Sequence, residues 1–102
     1  MYIIVSGFRF AWDRAKATAN LRKHGVSFSE ASTTFGDEDG LLLDDLAATG
    51  DDERYVLLGV SSALRLLVVV HTYRDDARTI RLISARKATR SERAQYQARF
   101  RP

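Results

Sequence analysis

The stretch Glu53–Arg86, ERYVLLGVSSALRLLVVVHTYRDDARTIRLISAR, decides the fold class. Tyr55–Val60 has the content of a strand, Ser61-Ser62-Ala63 reads as a turn, and Leu66–Tyr73 is the near-continuous apolar run of a strand at a sheet's centre. Asp75-Asp76 marks a further turn before a third strand, Thr79–Ser84. Links this short favour antiparallel neighbours, so the stretch predicts an antiparallel β-meander. Arg54 begins its first strand, while Arg81 interrupts and Arg86 ends its last. In a regular strand Arg81, Ile83 and Ala85 share one face and Arg86 lies on the other. Both arginines can therefore serve one site only if the strand ends or bulges before Arg86.

Downstream, Thr89-Arg90-Ser91-Glu92 is a capping box that opens a helix through about Phe100. Upstream, Leu41–Leu43 is a short strand and Ala47–Asp52 a loop, and before these lies a helical corner. Asp13 is the expected N-cap of a first helix that runs to Lys23 or His24 and stops at Gly25. Ser27-Phe28-Ser29-Glu30 predicts a second capping box, with the Ser27 hydroxyl serving the Glu30 N–H and the Glu30 carboxylate reaching back. Phe35 and Gly36 close the helical portion, and Tyr2–Val5 with Phe8–Trp12 predicts a leading strand or a hairpin around Gly7. Helices set apart from a strand meander indicate one α+β domain over residues 1–102. On the first helix Lys16, Asn20 and Lys23 recur at i, i+4 and i+7 and share a stripe, with His24 beside its C-terminal end. A basic last turn is also what the helix dipole alone favours.

A chain of 102 residues has room for a single core. No apolar run approaches the ~20 residues that span a bilayer, and MYIIVSG is too short and lacks the basic start of a signal peptide. Without cysteine there is no disulfide framework or thiolate metal site, and the two histidines, His24 and His71, show no metal-ligand spacing. The expectation is a cytoplasmic protein with no cofactor and no metal. Charge is divided: Asp37–Glu53 holds eight acids and no base, whereas Thr72–Arg101 holds nine bases and three acids. A basic face of this kind attracts phosphate backbone without sequence preference, and it equally suits docking to an acidic partner.

The run F-x-W-D-x-x-K-x-x-x-N-x-x-K-H-G-V-S-F at Phe10–Phe28 resembles the N-terminal signature of the BrnT family of small RelE-like ribonuclease toxins. Glu53-Arg54 with Gly59, Ile83-Ser84-Ala85-Arg86 and Glu92-Arg93 resemble the family's later motifs, leaving residues 1–9 and the acidic segment 37–53 unassigned. The resemblance implies a RelE-like fold, cleavage of RNA (including ribosome-associated mRNA) that inhibits translation, and neutralisation by a BrnA-type antitoxin. DNA is reached only through that antitoxin.

Metal-independent RNA cleavage needs a base for the ribose 2′-hydroxyl, cations for the charge on pentavalent phosphorus and an acid for the leaving 5′-oxygen. Arginine suits the second task through its planar fork, and histidine suits either proton task. The expectation is that Arg54 and Arg86 clamp the scissile phosphate while His24, with Lys23, moves protons or adds charge. Lys16, Asn20 and Arg81 extend the RNA contact, and Trp12 either stacks a base or sits in the core under the first helix. His71, inside the apolar run, reads as a hydrogen-bonded core residue. The competing class is a basic module that binds RNA or protein without chemistry.

Overall fold

The computed structural model describes residues 2–5, 7–44, 53–74 and 78–100. Strands β1 (Tyr2–Val5) and β2 (Phe8–Ala11) form an antiparallel hairpin through Gly7, whose φ of 83° is the left-handed geometry that glycine adopts without strain. Then follow α1 (Arg14–His24), α2 (Phe28–Thr33) and a single 3-10 turn, Thr34–Gly36. Strands β3 (Leu41–Asp44), β4 (Tyr55–Val60), β5 (Leu66–Arg74) and β6 (Thr79–Lys87) make the meander, and α3 (Arg90–Ala98) ends the fold. The expected loop at Ala47–Asp52 and turn at Asp75-Asp76 lie outside the described residues.

The sheet order is β1-β2-β6-β5-β4-β3. Within β3–β6 every pairing is antiparallel, as the short links require, but β2 joins β6 in parallel through Arg9↔Thr79, Phe10↔Ile80 and Ala11↔Arg81. The sheet is therefore mixed. The N-terminal hairpin returns to the meander's last strand across the whole helical corner, a long connection that no local turn signal reveals.

One sheet face carries the main core. Phe10, Leu57, Leu67, Val69, Ile80, Leu82 and Ala85 meet Val26, Phe28 and Ala31 of the helical corner there. His71 belongs to this side: it is wholly buried, its Nδ1 lies 3.1 Å from the Val69 carbonyl, and its ring stands edge-on to Phe35 at 4.8 Å. The opposite face buries Leu58, Leu66 and Val68 under Tyr96 of α3. Three polar joints tie the layers. Asp37 accepts from Tyr96 Oη at 2.7 Å and from the Val60 N–H at 2.9 Å. Glu30 takes Arg65 and the Ser61 hydroxyl, and Glu92 takes Arg86.

The Glu30 joint corrects the expected second capping box. Ser27 does accept from the Glu30 N–H at 3.0 Å, but the Glu30 carboxylate does not return to the cap. A charged guanidinium holds it instead, with Arg65 Nη2 at 2.5 Å and Nε at 2.8 Å. The stronger charge-assisted bonds outcompete a backbone N–H that water can serve. The third helix shows the full box: Thr89 Oγ1 accepts from the Glu92 N–H and Glu92 accepts from the Thr89 N–H.

Candidate active site

Helix α1 is polar nearly all round, and the residue it buries is an amide, Asn20. Its ends are fixed locally. Asp13 Oδ1 accepts from the Ala15 N–H at 2.9 Å, and Gly25, at φ 70°, donates to the Leu21 carbonyl. Its place on the sheet is fixed by Asn20. Strand β2 ends opposite Arg81, so the backbone of β6 beyond that point faces no strand on this side. The Asn20 amide fills the vacancy, accepting from the Ala85 N–H at 3.0 Å and donating to the Ala85 carbonyl at 2.8 Å and the Val26 carbonyl at 3.0 Å. The residue expected to touch RNA is thus spent on backbone.

Holding α1 there creates a cleft of about 220 Å³ lined by Lys16, Ala19, Asn20, Lys23, His24 and, from β6, Ile83 and Ser84. Lys16 and Lys23 are exposed and His24 half-buried. The helical stripe and the first two residues of the I-S-A-R segment, Ile83 and Ser84, far apart in sequence, are opposite walls of one hollow, whose lining does not include Arg86.

The arginine difficulty is resolved by a bulge. Val70 pairs with Ser84 but His71 pairs with Leu82, so Ile83 is an extra residue in β6. Alternation shifts by one at that point. Leu82 and Ala85 both enter the main core, while Arg81, Ser84 and Arg86 share the other face, opposite Thr72, Val70 and Val68. Regular alternation would have put Ala85 with Arg81 and sent Arg86 into the core.

Arg86 is engaged end-on by Glu92, Nη1–Oε1 at 2.8 Å and Nη2–Oε2 at 2.9 Å. The Arg86 bond, aided by the Thr89 N–H, holds the Glu92 carboxyl down at about 2. The sequence marked Glu92 as a capping residue and as part of an E-R motif, and its pairing with Arg86 needed the fold to bring β6 beside the start of α3. Ser84 was likewise visible only as part of a motif.

Arg54 stands apart from this corner. Tyr55 faces His71 and Arg86 faces Val68, so Arg54, one residue ahead of β4, is about 10 Å across the strands and about 13 Å along them from Arg86. Trp12 is half-buried against the main core, edge-on to Phe28 at 6.1 Å, and its rim borders a second hollow with Ala17 and Leu21. Among the described residues, no three His, Asp or Glu side chains gather as a metal site requires. Among the described residues no helix is long and apolar enough to cross a membrane.

Comparison with known proteins agrees with this architecture. A family model described as the ribonuclease toxin BrnT of a type II toxin–antitoxin system matches residues 12–92. The 1.1 Å crystal structure of the Brucella abortus ribonuclease toxin BrnT shares the fold with a TM-score of 0.60 at 22% identity, over 79% of this chain and 96% of that one. No curated protein matches the chain.

Proposed function

This chain belongs to the BrnT family, the ribonuclease toxins of type II toxin–antitoxin systems, and on that premise we propose that it cleaves RNA without a metal ion where α1 meets β6. The observation that carries the reading is the shared cleft: Lys16, Lys23 and His24 face Ser84, on the strand whose bulge brings Arg81 and Arg86 to Ser84's side.

In this reading a base takes the proton of a ribose 2′-hydroxyl, whose oxygen attacks the adjacent phosphorus. The 5′-oxygen leaves with a proton, giving a 2′,3′-cyclic phosphate and a 5′-hydroxyl. His24 and Lys23 serve the proton transfers and the charge from the helix side. Arg86 supplies hydrogen bonds to the phosphorane oxygens. Its fork to Glu92 takes one N–H on each terminal nitrogen and the Lys87 carbonyl takes the second on Nη1, so among the described residues the other N–H of Nη2 and the Nε–H remain to reach phosphate, while Glu92 fixes its plane. The separation of Arg54 from Arg86 assigns Arg54 to a neighbouring phosphate rather than to a joint clamp. Cleavage of mRNA would arrest translation, and a BrnA-type antitoxin is the expected neutralising partner.

Purified protein incubated with total RNA in EDTA is expected to generate new 5′-hydroxyl ends. His24→Ala and Arg86→Ala should each lower the rate by about 10²-fold or more. One observation favours the second reading, a module that binds without chemistry: Glu92 holds both terminal nitrogens of Arg86. RNA bound but left intact by folded wild-type protein would establish that reading and end the first.

A further inference from the structure

Helix α3 covers only one end of the outer sheet face. Beyond the rows that pack on Tyr96, the cross-strand pairs on this face run through Val56–Val70–Ser84, then Thr72–Arg81–Ala11, then Arg74–Thr79–Arg9. Val56, Val70 and Ser84 are half-buried, Arg81 is half-buried, and Arg9 and Arg74 are exposed. Successive rows are about 7 Å apart. Cations therefore stand in the second and third of these rows, Arg81 in one and Arg74 with Arg9 in the other, and the uncharged first row meets the α1 cleft at Ser84.

A second observation falls on the same two rows. Thr72 Oγ1 and Thr79 Oγ1 are buried side-chain oxygens without a hydrogen-bond partner among the described residues. Thr79 is 3% exposed and flanked in its row by Arg74 and Arg9. Valine has the same shape and would avoid the cost of an orphaned hydroxyl, so hydroxyls held in adjacent rows, each paired with an arginine, call for a ligand.

We propose that this face is a track for single-stranded RNA leaving the cleft, with Arg81 in the nearer row and Arg74 and Arg9 side by side in the next each on a phosphate of its own, and with the Thr72 and Thr79 hydroxyls bonded to the seated backbone. Arginine forks fit phosphate oxygens, and a threonine hydroxyl can donate to phosphate. Arg9 comes from β2, ahead of the residues 12–92 that match the family model. The proposal rests on the ribonuclease reading only for the identity of the ligand.

The test is fluorescence anisotropy of the full chain with a 12-nucleotide 2′-O-methyl RNA, which 2′-oxygen attack cannot cleave, across a salt series. Arg9→Gln/Arg74→Gln is expected to bind about tenfold more weakly, with a log–log salt slope shallower by about 1.4, some 0.7 per lost phosphate contact. Thr79→Val should weaken binding about threefold at unchanged slope, because no charge is removed, and its melting temperature should not fall. Unchanged affinity and slope in the double variant overturns the track. So does an equal loss toward polyglutamate, which would make the face a protein-docking surface. Full affinity in Thr79→Val overturns the hydroxyl contact. Wild type that binds the oligonucleotide through these residues yet cleaves no RNA leaves the track standing and removes the nuclease, so the two failures are distinct.

Discussion

Asn20 shows how one side chain can build a wall of the candidate site through its bonds to backbone. Its amide makes three hydrogen bonds to backbone, two of them to Ala85, and replaces the strand that β6 lacks there. Truncation strands a buried N–H and two buried carbonyls, and each group that water cannot reach costs about 1–3 kcal/mol. Asn20→Ala should therefore lose about 2–4 kcal/mol in urea unfolding, whereas Lys23→Ala, exposed on the same stripe, should stay within about 0.5 kcal/mol. A loss below 1 kcal/mol for Asn20→Ala would show that water serves Ala85 and that α1 is held by other contacts. The spacing of Lys16, Asn20 and Lys23 correctly announced a shared stripe, since helical period follows from geometry alone. It could not tell the inward amide from the outward ammoniums, because that depends on where β2 stops. His71 was legible for the opposite reason: an apolar run on both sides leaves an imidazole nowhere to go but the core.

At the scale of elements, the meander, the helical corner and the capping residues were all readable, because turns, caps and strand runs are local chemistry. The bulge at Ile83 and the parallel β2–β6 pairing were not, since both are set by partners distant in sequence. The Glu30 capping box failed similarly, losing its carboxylate to Arg65 from the meander. Helix α3 is the element most exposed to perturbation. It buries Tyr96 alone and is held by Glu92 to Arg86, by Tyr96 to Asp37 and by Arg99 to the Asp39 carbonyl. Burial, reinforced by the bond to Asp37, pushes the Tyr96 phenol up to about 12, so it donates throughout the ordinary pH range. Tyr96→Phe keeps the ring on Leu58, Leu66 and Val68 and removes only the hydroxyl, leaving Asp37 its bond from Val60. The expected cost is about 1–2 kcal/mol. It should appear as faster amide exchange across Arg93–Ala98 with β5 unchanged; equal acceleration in both would mean that α3 and the sheet open as one unit.

Across the whole molecule the titrating joints act in one direction. Glu30 is lowered by the Arg65 hydrogen bond, Asp37 is lowered because bonds from Tyr96 and Val60 outweigh its burial, and Glu92 is lowered to about 2 by Arg86. A carboxyl depressed on folding contributes stability that is complete above its unfolded value near 4.5 and is lost as pH falls toward the folded value. Each pair is partly open to solvent, so screening holds its contribution to about 1 kcal/mol. His71 adds to the trend from the basic side, because burial lowers its pKa below 6.5. Below pH 6.5 the unfolded chain takes up a proton that the folded chain refuses, so stability falls there too. Thermal melts should therefore be flat from about pH 8 to 7, decline below about 6.5, and steepen below about 4.5. In His71→Gln the first decline should vanish while the second, which belongs to the carboxylates that tie α2 and α3 to the sheet, remains. A wild-type profile flat down to pH 5 would mean that His71 is protonated in the fold, with its Nδ1 donating to Val69 and its Nε2 to Tyr73, and the core around Phe35 would then hold a charge.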